Sequence, residues 1–167
     1  MPLGVYENFP ENIHETARFS TQLSNKKLQH TIMQILHELN TRAFSLEEIS
    51  EPSVHGCTVA FEFGIAEANN FNYLDEKETQ KATKIVNAEP FSLIDLLCAL
   101  RYYTAQDGKK KPLKFDYYMI RFLFDKNQVE MQVFHERGPR YISPEGIINL
   151  IVKKVNQTFS KTVLRAF

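Results

Sequence analysis

The stretch 115–136, FDYYMIRFLFDKNQVEMQVFHE, decides the fold. Across Phe115 to Phe124, Tyr118, Ile120, Phe122 and Phe124 fall on one face and Tyr117, Met119, Arg121 and Leu123 on the other, which is the period of a β-strand. The alternation resumes with Val129, Met131, Val133 and His135 on one face and Glu130, Gln132, Phe134 and Glu136 on the other. Asp125-Lys126-Asn127-Gln128 supplies turn chemistry between the two runs. With Lys126-Asn127 as a two-residue turn, Phe124 stands opposite Val129, Phe122 opposite Met131, Ile120 opposite Val133 and Tyr118 opposite His135. One face is then a continuous apolar strip. The other sets Leu123 against Glu130, Arg121 against Gln132, Met119 against Phe134 and Tyr117 against Glu136. That face is too mixed for a core and too aromatic for a plain wet surface, so it reads as half covered.

Beyond the hairpin the chain runs His135-Glu136-Arg137-Gly138-Pro139-Arg140-Tyr141-Ile142 into Ser143-Pro144-Glu145. Ser143 is placed to cap free amides, Pro144 sits where a missing N–H costs nothing, and Glu145 complements the positive helix end. Ile142 and Ile147 occupy the hydrophobic-staple positions. The helix that follows aligns Ile147, Ile148, Ile151, Val155 and Phe159 on one side and leaves Asn149, Lys153, Lys154 and Gln157 for solvent. It is expected to cover the apolar face of the hairpin.

At 167 residues, with 43% hydrophobic and 24% charged residues, the chain has the size and composition of one globular domain with a core of its own. Lysine plus arginine equals aspartate plus glutamate at 20 each, so no global field draws the molecule to nucleic acid or an anionic membrane. Any basic site has to be local. Cys57 and Cys98 have no metal-type spacing and read as reduced, buried thiols. Neither a signal-type apolar leader nor a membrane-length apolar run is apparent, and a cytoplasmic location is the expectation.

Residues 1–11 read as an irregular lead-in and 12–167 as a single domain. Asn12 to Ser20 permits a strand or a short helix. Ser24 or Asn25 caps a helix to Leu39, with Leu28, Ile32, Ile35, Leu36 and Leu39 in helical register. Arg42 to Ile49 fits a capping box with a short helix or a strand and leans towards strand, and Cys57 to Ala66 is a clear strand. Ala68 to Asn72 reads as a polar loop, and Asp75 with Glu78 as the capping box of a helix to about Val86, together forming a solvated connector at about 67–90. Phe91-Ser92 is expected to open a central helix through Leu100, because Leu93, Ile94, Leu96, Leu97, Cys98, Ala99 and Leu100 are apolar nearly all round. Asp107 to Pro112 is expected to close that helix as a loop. The sum is an α+β fold: a mainly antiparallel sheet of about five strands with helices packed on one face.

For function, the leading expectation is a non-catalytic interaction or self-associating module using Tyr117, Met119, Arg121, Leu123 and Phe134. A monomer needs one apolar sheet face, and this hairpin carries apolar and aromatic residues on two. The alternative is a nucleic-acid or phosphate-ligand binder. It would use Lys109, Lys110, Lys111 and Lys114 with Arg137 and Arg140, where free amides, a helix dipole and guanidinium groups can converge on an anion. Against this, Arg137 and Arg140 can simply pair with Glu136 or Glu145. An enzyme of unrecognised type remains the third alternative; His135 and Glu136 lie on opposite strand faces and cannot cooperate, and His135 is expected to contact Tyr118 instead. No cofactor, metal site or membrane partner is expected. The partners expected by this reading are a second copy or another protein.

Overall fold

The computed structural model describes residues 3–49, 56–106 and 109–167. Its elements run β1 (Glu15–Ser20), α1 (Asn25–Leu39), β2 (Ala43–Ser45), α2 (Leu46–Ile49), β3 (Thr58–Glu67), β4 (Asn70–Tyr73), α3 (Glu76–Ala88), β5 (Leu93–Gln106), β6 (Lys109–Asp125), β7 (Gln128–Arg137), α4 (Pro144–Thr158) and β8 (Arg165–Ala166). Among the described residues the strands form one sheet in the order β2-β3-β5-β6-β7-β1-β8, with β4 added to β3, and these strands pair antiparallel throughout. The α+β class therefore holds, but the sheet has 8 strands rather than about five.

The largest correction lies at Leu93 to Leu100, which is the start of strand β5 and not a helix. A run that is apolar on all sides suits a strand buried on both faces as well as a buried helix. β5 has that position, between β3 and β6. Its Leu96, Cys98, Leu100 and Tyr102 join the core, while Leu97 and Ala99 point to the other face. Asp107 and Gly108 lie outside the described residues, but Lys109 to Pro112 are backbone of β6 and not loop. The polar stretch predicted as a loop at Ala68 to Asn72 holds a turn and β4, a short edge strand on β3. Leu74, Ala82 and Val86, around and on α3, are buried.

The central hairpin forms in the register its sequence sets: Phe124 pairs Val129, Phe122 Met131, Ile120 Val133 and Tyr118 His135. At its open end a bulge shifts the pairing, so Tyr117 faces Arg137 rather than Glu136. The inner sheet face joins Val59, Phe61, Phe63, Ile94, Leu96, Leu100, Ile120, Phe122, Met131 and Val133 in one core with α1 and α4. Burial of each large side chain there contributes roughly 1.5–3 kcal/mol. Both helix starts carry the expected caps, Ser24 accepting from the Lys27 amide and Ser143 from the Gly146 amide.

Side-chain amides fasten α1 at both ends. Gln29, fully buried, donates to the Phe91 carbonyl and accepts from the Phe91 amide. Asn40 does the same with Phe63, and also donates to the Leu74 carbonyl. Residue 63 lies on the outer edge of β3 between the reaches of β2 and β4, so Asn40 occupies the place of a missing strand. No helix among the described residues is long and apolar enough to cross a membrane.

Candidate functional site

The loop from Arg137 to Ser143 was the sequence's candidate anion cradle, and its amides are already bound to an anion of the chain itself. Gly138 and Arg140 take positive φ values of 114° and 61°, folding the loop back over β6. The amides of Arg140 and Tyr141 then donate to the Asp116 carboxylate at 2.8 and 3.0 Å. Tyr102 donates to the same carboxylate at 2.6 Å, and His135 Nε2 lies 2.7 Å from its Oδ1. Asp116 is fully buried, and these four partners occupy both of its oxygens. Beside it, the Tyr118 hydroxyl donates to the Ile142 carbonyl, and the Tyr118 and His135 rings meet edge to face at 5.0 Å. The expected contact of His135 with Tyr118 is thus present.

The chemistry of this cluster is quiet. Burial first, then the Asp116 bond, pushes the Tyr102 phenol far above its ordinary range. Burial and the Asp116 charge do the same to the Tyr118 phenol and the Cys98 thiol. Tyr102, Tyr118, Cys98 and Asp116 are all closed to solvent. Sequence reading missed Asp116, although its parity with Tyr118 and Ile120 placed it on the core face.

A second buried carboxylate works on the outer sheet face. Asp95, also fully buried, takes Arg121 Nε and Nη2 at 2.7 and 2.9 Å and the Tyr6 amide at 2.8 Å. The N-terminal segment therefore crosses this face. Gly4 exchanges backbone bonds with Ala66 and Asp95, Phe9 lies 4.3 Å from the Arg121 guanidinium, and His14 stacks on Phe134 at 4.7 Å. His14 Nδ1 also accepts from the His135 amide at 2.8 Å. Desolvation, then the Arg140 and His135 charges, hold the His14 imidazole below its ordinary value.

The five residues named for an interaction face do share this outer face, but not equal access. Met119 is only 9% exposed, Arg121 is committed to Asp95, and Leu123 and Phe134 are half-buried. Access is kept at the far end, beyond the N-terminal segment. There Phe115, 40% exposed, lies parallel to Tyr117 with centroids 6.3 Å apart and planes at 15°. The Arg137 guanidinium lies 4.3 Å from the Tyr117 centroid. Sequence reading did not single out Phe115, which shares outer-face parity with Tyr117 and Met119.

The predicted cations are divided. Arg137 lies on the outer face, whereas Lys114 pairs with Tyr102 in the ladder and has the opposite parity to Phe115. Lys109, Lys110 and Lys111 follow on the same strand. Arg18, Arg101 and Arg121 each have a carboxylate, on Glu130, Glu62 and Asp95 respectively. Among the described residues none lies within ion-pair distance of Arg137, Arg140 or Lys114, so the expected pairing of the two loop arginines with Glu136 or Glu145 is not formed.

A surface groove of about 1000 Å³, lined by Tyr73, Lys81 and Ile85 among others, lies along α3, with its Lys81 tied to Glu67 and Glu78. No group of three or more histidine, cysteine, aspartate or glutamate side chains among the described residues is arranged to hold a metal ion. Comparison of the chain with protein-family models, with curated proteins and with solved structures finds no match.

Proposed function

We propose that this chain is a non-catalytic interaction domain that docks a macromolecule on the open end of its outer sheet face. The observation that carries the reading is the parallel Phe115–Tyr117 pair, held at the surface where the N-terminal segment stops covering the sheet. Two adjacent rings presented by a rigid central strand are costly to leave in water and well suited to an anchoring contact. A non-catalytic role fits the sealed state of the one polar cluster with acid–base chemistry, around Asp116. A cytoplasmic setting fits Cys57 and Cys98, both buried free thiols.

The test is photo-crosslinking in cells from a benzophenone side chain placed at position 115, compared with one placed at Lys153, an exposed residue of α4. Adducts formed from position 115 and not from 153 support the reading. Equal yields from both positions, or none from 115, contradict it.

A further inference from the structure

We propose that the occupant of this open end is single-stranded RNA, held by base stacking on Phe115 and Tyr117 and by phosphate contacts from Arg137, in the positive field of the lysine-rich segment 109–114. The inference rests on reading this end as a docking surface and adds the partner. Three independent features converge on it.

The first is the pair of rings. Phe115 and Tyr117 occupy alternate positions of one strand with planes at 15°, Phe115 exposed and Tyr117 half-buried with the Arg137 guanidinium over its ring, so they form a short platform whose open part is Phe115. Every base has a π-face, and such platforms grip single strands with little regard to sequence. A duplex hides its bases from the rings, which selects an unpaired strand. A tyrosine hydroxyl in such a platform is able to bond a ribose 2′-hydroxyl, which only RNA offers.

The second is Arg137. Its guanidinium lies 4.3 Å from the Tyr117 centroid and has no carboxylate partner among the described residues, unlike Arg18, Arg101 and Arg121. A guanidinium stacked on a ring keeps its in-plane N–H donors, the geometry that phosphate requires.

The third is the ribbon itself. Pairing of β3 with β5 reaches only Thr58–Tyr103, and pairing of β7 with β6 only Tyr117–Arg137. Past these points β5 and β6 pair with each other as a two-stranded ribbon back to Gln106–Lys109. The segment 109–114 holds four lysines and no acid in a chain whose formal net charge is zero, which makes the field local. Lys111 and Phe115 are on the same strand, with a bulge between them where the pairing shifts at Tyr102 and Tyr103, so the lysine-rich segment continues the strand that carries the rings. The same charge disfavours a second copy: an isologous contact through this ribbon sets lysine against lysine.

The experiment is fluorescence anisotropy of the full chain with a labelled mixed-sequence single-stranded RNA of about ten nucleotides. Between about 50 and 200 mM salt the expected slope of log K against log salt is about −2, corresponding to about three phosphate contacts. Phe115→Ala is expected to weaken binding about tenfold while Phe115→Trp retains it. Arg137→Ala is expected to weaken binding and flatten the salt slope by about 0.7, and Lys153→Ala to change neither. An unchanged unfolding midpoint for each variant shows that the fold is intact. Binding indifferent to Phe115→Ala and Arg137→Ala overturns the proposal, as does equal affinity for DNA of the same sequence. Absence of RNA binding at low salt also overturns it. If the protein then forms a concentration-dependent dimer that Phe115→Ala disperses, the RNA assignment alone falls and the docking reading stands.

Discussion

The phenolic hydroxyl of Tyr102 donates to the Asp116 carboxylate across 2.6 Å, with neither side chain exposed to solvent. This bond joins β5 to β6, and the same carboxylate pins the loop between β7 and α4 through two backbone amides. A carboxyl group with no access to water is tolerated there because four polar partners surround it.

Asp116→Asn places an amide N–H₂ among groups that need an acceptor. The expected loss is about 3 kcal/mol in urea unfolding, with faster hydrogen exchange at the Arg140 and Tyr141 amides. Tyr102→Phe leaves the carboxylate its other partners and is expected to cost only about 1 kcal/mol. Equal costs for the two variants would contradict the placement of Asp116 at the centre.

Arg121→Ala is expected to be much more damaging than Arg18→Ala. Removal of Arg121 leaves the fully buried Asp95 with one remaining partner among the described residues, the Tyr6 amide, at a cost of about 3 kcal/mol. Arg18, whose side chain is 68% exposed, pairs with Glu130 on the surface, and its loss is expected to cost less than about 1 kcal/mol. Limited proteolysis should also find the N-terminal segment released in Arg121→Ala and retained in Arg18→Ala.

Gly138→Ala is expected to destabilise the chain by more than about 2 kcal/mol. At φ +114° a Cβ here would overlap the Phe115 carbonyl oxygen and the Asp116 carboxylate and lie 2.8 Å from the Asp116 Cα. Gly56 also has a positive φ, +77°, but a Cβ there meets nothing within 4 Å. Gly56→Ala is therefore expected to cost only about 1 kcal/mol, from backbone strain alone. Thermal unfolding of the two variants side by side checks the difference.

Acid is expected to weaken the fold in two steps of the same sign. His14 is held below its ordinary value of 6.5 by desolvation, then by Arg140 and His135, so the native state binds fewer protons than the unfolded chain. Its contribution falls as pH drops through 6.5 towards the folded value. Glu130 is lowered chiefly by its bond to Arg18, so its contribution is present above its ordinary 4.5 and is lost as pH falls below that. His14→Gln should remove the first step and Arg18→Ala the second, read from unfolding midpoints over the pH range. A His14→Gln variant that keeps the first step contradicts this assignment.

The parts of the fold legible in sequence are those where one local rule acts alone. The β6–β7 register follows from strict alternation and a polar turn whose Asn127 takes a φ of 60°. Ser24, Asp75 and Ser143 cap helices because a short oxygen side chain there satisfies a first-turn amide. Leu93 to Leu100 defeats such reading, since apolar residues on every side fit two periods and only the neighbouring strands decide between them. Asn70 to Tyr73 was obscured by polarity that an edge strand tolerates. The lysine run carries no period of its own and becomes a strand because β5 lies beside it.

The candidate site was legible to a lesser degree. The shared outer face came from parity, and Arg137 from the basic loop that leads into a capped helix start. Asp95 and Asp116 draw their meaning from partners 26 and 24 residues or more away in Arg121, Arg140 and Tyr141, which no local pattern supplies. The N-terminal segment, irregular in sequence, proved to divide the outer face into a covered part and an open end, and this left Phe115 rather than Phe134 as the accessible ring.

The most direct measurement is a two-dimensional NMR titration of the folded protein with single-stranded RNA, following backbone amides and aromatic rings. Shifts concentrated on Phe115, Tyr117 and Arg137, with α4 and the Asp116 cluster unmoved, are the outcome expected of docking at the open end. Shifts centred on the helix layer around Lys153 and Lys154, or no shifts at any ratio, would contradict it.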